Sequence, residues 1–286
     1  QPGLGGTNGI KRNIINPNAG RKSILILMTK QALHIVKIGG NIIDAPEALA
    51  SFLANFAAIQ GPKLLVHGGG KIATSMAADL GIVSQMIDGR RVTDAESLRI
   101  VTMVYAGWIN KSIVASLQAL KCNSIGLTGP DGAFVVSKKR NPEPFDYGFV
   151  GDIEHVKAKD LAGLITAGFS PVFAPITADV TGQLLNTNAD TMAQALAIAL
   201  SEYFETTLTY CFEKQGVLMD PNDDNSVISQ INPANFAQLK ADGIVSAGMI
   251  PKLENALKAI SKGVQAVRLC HAGFVSQPDK GTRIQA

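Results

Sequence analysis

Four stretches of the sequence carry residue types that could work on an anion: Lys37-Ile38-Gly39-Gly40, His67-Gly68-Gly69-Gly70-Lys71, Arg91, and Asn186-Thr187-Asn188-Ala189-Asp190. A lysine at the end of an apolar run, followed by paired glycines and a helix start, makes an anion site, because the first N–H groups of a helix have no partner inside it. Lys37 precedes its glycines, whereas the lysine of a P-loop follows them, so this is no Walker A motif. Three glycines in a row at 68–70 let a carboxylate or phosphate reach the backbone without Cβ interference; a tight turn needing positive φ is the plainer alternative. Arg91 could fork onto a carboxylate, or simply face solvent. Asn186, Asn188 and Asp190 alternate, so an extended entry to the following helix would put all three on one face, while N-capping would account for one of them.

The elements that must hold these residues follow from periodicity. Residues 33–38 and 63–66 read as strands running into the two glycine turns, and 46–59 and 72–80 read as the helices that follow. Thr93-Asp94-Ala95-Glu96 reads as a capping box opening a helix to about residue 120, apolar nearly all round, which must bury more than one face or pack on a second copy. Residues 124–128, 171–176, 207–212 and 264–269 read as further strands, 133–153 as β-hairpins forming a flap, and 159–167 and 191–200 as helices. Residues 244–252 form a glycine-containing loop that brings Lys252 to the start of a helix ending near 262. Alternating strands and helices predict an α/β fold with a mostly parallel sheet covered on both faces.

A chain of 286 residues, 46% hydrophobic and 17% charged, suits one large domain or two fused lobes. Lys11, Arg12, Arg21 and Lys22 stand in an acid-free leader and outweigh the net charge of +3, so the body is near neutral, and neither a nucleic-acid stripe nor a membrane surface is indicated. Cys122, Cys211 and Cys270 are odd in number and lack CxxC spacing, which fits a reducing cytoplasm and no protein-built metal site. Residues 1–28, rich in Gly, Asn and Pro, are expected to be a disordered leader or tag-like extension.

Taken in order with Arg91-Val92-Thr93 and Gly281-Thr282-Arg283-Ile284, these motifs resemble the N-acetyl-L-glutamate kinases of the amino acid kinase family, from about residue 32 to the C-terminus. The resemblance implies a three-layer αβα sandwich, with residues 29–178 binding the acylated amino acid and dimerising and residues 179–286 binding ATP. It implies ATP-dependent phosphorylation of a side-chain carboxylate in arginine biosynthesis, with Mg²⁺. Carried over by motif, Lys37 and Lys252 would be transition-state lysines held by Asp190. Gly69, Gly70, Arg91, Asn186 and Asn188 would bind the substrate, and Gly39, Gly40, Glu213, Gly216, Leu218, Ile244, Val245 and Ser246 would meet the nucleotide. Arginine-inhibited members carry an extra N-terminal helix, and no helical pattern stands in residues 1–27, so an uninhibited homodimer is expected.

The chain departs from the family pattern at Phe212-Glu213-Lys214-Gln215-Gly216 and Ser246-Ala247-Gly248-Met249, both near the expected ATP contacts. N-succinyl-L-glutamate stays open as an alternative acceptor. A non-catalytic sensor of the same fold also stays open, although Lys37, Asp190 and Lys252 together speak against it. A dinucleotide-dependent oxidoreductase is disfavoured because no G-x-G-x-x-G follows the first strand.

Overall fold

The computed structural model describes residues 30–82, 85–87, 90–220, 222–245 and 249–286; the expected leader and Ser246 lie outside these. At its centre an eight-stranded sheet runs in the order Gln230–Ile231, Thr282–Ile284, Ala266–His271, Glu205–Phe212, Ala32–Ile38, Lys63–His67, Ser170–Phe173, Ser124–Leu127. Every pairing is parallel except that of Ala266–His271 with Thr282–Ile284.

The strand Ala32–Ile38 sits mid-sheet because it is apolar on both faces. Leu33 and Ile35 point into one core cluster with Met192, Ala193, Leu196 and Leu200 of the helix Ala189–Leu200. Val36 and Ile38 point into the other, with Phe52 and Phe56 of the helix Pro46–Ala58. Each such fully buried side chain is worth about 1.5–3 kcal/mol against exposure. Side chains alternate along a strand, so Lys37 shares the face of Leu33 and Ile35, the face on which Ala189–Leu200 lies. That parity carries the lysine toward the N-terminus of that helix.

Three expectations need correction. The long helix does run over Ala95–Ala119, but its N-cap is Asp94, whose carboxylate accepts the Ser97 N–H at 2.7 Å. Thr93 instead donates its hydroxyl to Arg91 O and accepts from Asn186 Nδ2 at 3.0 Å. The middle of this helix, Met103–Ile109, is π-helical, a local register shift that helices often carry at functional sites. One face of it is core, including Val101, Val104, Tyr105 and Ile113, whereas Met103 and Trp108 are 48% and 67% exposed. The expected strand at 171–176 divides. Ser170–Phe173 belongs to the main sheet and Ile176–Ala178 to a second sheet of four strands, ordered Leu184–Asn186, Ile176–Ala178, Val135–Lys139, Gly151–Val156. Pro175, which has no N–H to give a ladder, stands at the switch. Within the second sheet Val135–Lys139 and Gly151–Val156 pair antiparallel as the expected hairpin. Finally, 186–190 is not one extended run, because the strand ends at Asn186, Asn188 caps the helix by accepting Thr191 N–H, and Asp190 is already in the first turn.

Candidate active site

Both glycine turns leave the carboxyl ends of neighbouring parallel strands, where open α/β sheets bind ligands. Gly39 N-caps the short helix Gly40–Ile43, and Gly69, at φ +145°, N-caps Gly70–Asp79. The turns are laid against each other: Gly68 N–H donates to Ile38 O at 3.0 Å, and a Cβ on Gly68 would stand 3.7 Å from Gly40 N. A Cβ on Gly69 would run into Ile109 Cδ1. Two helix N-termini therefore present their amides side by side.

On one side of this seam lies a cleft of about 360 Å³, lined among others by Lys37, Gly39, Gly40, Asp190, Glu213 and Lys252. Lys37 Nζ lies 2.7 Å from Asp190 Oδ1, the consequence of the strand parity described above. The expected bridging of both lysines by Asp190 is not observed. Lys252, in the first turn of Ile250–Ser261, stands 6.0 Å over the Phe212 ring and, among the described residues, forms no ion pair. Glu213 accepts from Asn41 Nδ2 at 2.6 Å, tying the turn after Glu205–Phe212 to the first glycine turn. Tyr210 also lines the cleft; burial and the nearby Asp190 carboxylate push its phenol well above the usual range, so it stays protonated.

On the other side a pocket of about 210 Å³ is walled by Gly68, Gly69, Gly70, Arg91, Tyr105, Arg140, Asn186 and Asn188. Arg91 is buried and donates to Gly70 O at 3.0 Å and Thr74 Oγ1 at 2.7 Å, so its guanidinium is anchored to the turn it faces. The segment 188–190 links the two cavities, with Asn188 and Ala189 lining the pocket and Asp190 the cleft. Thus Asn186 and Asn188 fall on the pocket side and Asp190 on the other.

Behind the second turn, His67 is fully buried, its Nδ1 2.7 Å from Gly68 O and its Nε2 3.2 Å from Asn110 Nδ2. Those partners assign the neutral tautomer with the proton on Nδ1. Burial pushes its pKa down to about 4. Of the expected nucleotide residues, Gly39, Gly40 and Glu213 line the cleft. Gly216, Leu218, Ile244 and Val245 are not among its wall. Gly216 is packed where a Cβ would stand 2.7 Å from Thr282 Oγ1, and Val245 and Leu218 are buried. Tyr105, Tyr210, Asn41 and Arg140 were not singled out from the sequence. Tyr105 is hidden in an apolar stripe, whereas Asn41, directly after the paired glycines, could have been found.

The profile of the amino acid kinase family matches residues 32–271. The chain belongs to the amino acid kinase family. It is 55% identical over 243 residues to the acetylglutamate kinase of Cytophaga hutchinsonii, covering 85% of this chain and 92% of that one. To the acetylglutamate kinase of Bacteroides thetaiotaomicron it is 53% identical over 256 residues, covering 90% and 99%. Among solved structures, a Streptococcus mutans protein superposes with a TM-score of 0.71 at 24% identity, covering 89% of this chain and 98% of that one. A Giardia carbamate kinase does so with a TM-score of 0.65 at 12% identity, covering 90% and 99%. These two likenesses speak for the fold alone, a mostly parallel sheet with flanking helices.

Proposed function

We propose that this protein transfers the γ-phosphoryl group of ATP to the side-chain carboxylate of N-acetyl-L-glutamate, in the arginine route, with residues 29–178 as the acyl-amino-acid lobe and residues 179–286 as the nucleotide lobe. The observation that carries it is the meeting of two cavities across paired glycine turns, with the Lys37–Asp190 pair at their junction. That the acceptor molecule carries an N-acetyl group is supported by the relatives of 53–55% identity, which are acetylglutamate kinases.

The chemistry suits these residues. A γ-carboxylate is already ionised at neutral pH, so the nucleophile needs no general base. The obstacle is bringing an anion onto an anionic triphosphate, which positioning and positive charge must overcome. Lys37, held by Asp190, sets one positive charge beside the amides of Gly39 and Gly40. Lys252 brings a second from the first turn of Ile250–Ser261, its ammonium free of an ion pair among the described residues and able to reach toward the phosphates. A charge about 4 Å away contributes roughly 4 kcal/mol at an effective dielectric of 20. Arg91 and the Gly69 and Gly70 amides would hold the substrate's α-carboxylate, and Asn186 its acyl-amide region.

Asp190 and Glu213, the carboxylates among the described residues of the cleft wall, are both engaged, by Lys37 and Asn41. That donor set fits a Mg²⁺ ion carried chiefly by the nucleotide's own oxygens, where it would spread the phosphate charge. The exposed Met103 and Trp108 on the long helix support a homodimer through that face. Three buried free cysteines support a reducing cytoplasmic setting.

Release of ADP in a coupled assay, dependent on N-acetyl-L-glutamate and absent with free L-glutamate, tests the assignment. No release with the acetylated substrate in a folded, ATP-binding protein would overturn it in favour of a sensor.

A further inference from the structure

Tyr105 occupies a place that the lysines, glycines and Arg91 leave unexplained. It lies in the π-helical segment, is 6% exposed, and lines the smaller pocket. Its ring lies along the second glycine turn, Cδ1 3.3 Å from where a Gly69 Cβ would stand and the phenol oxygen 3.8 Å from that of Gly70. Arg91, which donates to Gly70 O, lines the same pocket, and its positive charge acts on the phenol. A guanidinium can only donate, so toward Arg91 the phenol oxygen can only accept. The phenolic proton is then directed elsewhere, and among the described residues no protein acceptor takes it. Burial raises the Tyr105 pKa, so the proton is retained across the neutral range.

We propose that Tyr105 is a specificity-determining residue of this pocket: its oxygen takes the Arg91 hydrogen bond while its O–H donates to the α-carboxylate of the acylated glutamate, so that the phenol and the guanidinium read one anion together. Tyr105 and Ile109, both of the π segment, are the two side chains that lie against Gly69 of the second glycine turn. A donor lost from a buried carboxylate site leaves that charge one hydrogen bond short, an effect felt in binding rather than in the phosphoryl step. The proposal rests on the kinase assignment above.

The test compares wild type with Tyr105→Phe, which keeps the ring and its packing, on N-acetyl-L-glutamate and on 4-acetamidobutanoate, the same molecule without its α-carboxylate. With N-acetyl-L-glutamate the variant should raise KM about tenfold, leaving kcat and the KM for ATP within about twofold. With 4-acetamidobutanoate, at whatever lower efficiency wild type shows, the variant should cost nothing further, because the group that Tyr105 reads is gone. An equal loss on both substrates would mean a packing role, and no loss on either would mean that the phenol reads nothing; each overturns the proposal. Wild type inactive on N-acetyl-L-glutamate would instead overturn the kinase assignment, a distinguishable result.

Discussion

The Lys37 ammonium lies 2.7 Å from the Asp190 carboxylate, although one residue ends a strand of the first half of the chain and the other begins a helix of the second. The pair exists because Leu33, Ile35 and Lys37 share a sheet face and Ala189–Leu200 packs along that face, so the core that orders the helix also delivers its N-terminus to the lysine. Folding and site assembly are in this respect one event.

Replacing Lys37 or Lys252 by Ala is expected to lower kcat by roughly two to three orders of magnitude, the scale of losing one electrostatic contact to a developing charge. Neither side chain is core, so the thermal midpoint should move by only a few degrees. Steady-state kinetics beside a melting curve separate the two effects. Near-normal turnover in both variants would remove these lysines from the chemistry.

Gly69→Ala should act on both stability and binding. At φ +145° an L-residue is strained, and its Cβ would meet Ile109. Together these effects should destabilise by about 2 kcal/mol or more. Chemical denaturation would show the loss as a lower midpoint, with a raised KM for the acylated substrate. A variant of wild-type stability would mean that the turn relaxes without cost.

His67 makes the protein acid-sensitive. Its folded pKa of about 4 lies below the ordinary 6.5 because burial disfavours the cation. The stability it preserves is therefore fully present above pH 6.5 and is lost as pH falls toward 4, by an amount on the order of 3 kcal/mol at the lower end. Urea midpoints between pH 7.5 and 5 should fall more steeply for wild type than for His67→Gln, which cannot take up that proton. Parallel slopes would place the sensitivity elsewhere.

Trp108→Arg places a charge in the exposed apolar face of the long helix. Light scattering should give the mass of a dimer for wild type and of a monomer for the variant. A variant that stays dimeric would move the interface to another surface.

Much of this site was legible because its parts are local. A lysine before paired glycines, or a triple glycine after an apolar strand, is a contiguous pattern whose backbone consequences do not depend on the rest of the fold. Asn186, Asn188 and Asp190 were expected to share one face, but alternation holds only while the chain stays extended; here it turns helical after Asn188 and Asp190 falls on the other cavity. Thr93 lost the cap to Asp94 because its hydroxyl has partners in Arg91 and Asn186, one of them distant in sequence. Tyr105 could not be distinguished from core by a period of 3.6, since it stands four residues from both Val101 and Ile109 on the buried stripe of the helix. Gly216, expected beside nucleotide, is also needed by Thr282 from the far end of the chain, a packing demand that no local pattern reveals.

The most direct measurement traps the product. Enzyme, ATP and Mg²⁺ are incubated with N-acetyl-L-glutamate, N-succinyl-L-glutamate or free L-glutamate in hydroxylamine, and hydroxamate is read with time. Hydroxamate from the acetylated substrate, little from free glutamate, and a drop of about a hundredfold in Lys37→Ala would bear out phosphoryl transfer to a carboxylate across the seam. No hydroxamate from N-acetyl-L-glutamate, or undiminished formation in Lys37→Ala, would contradict it.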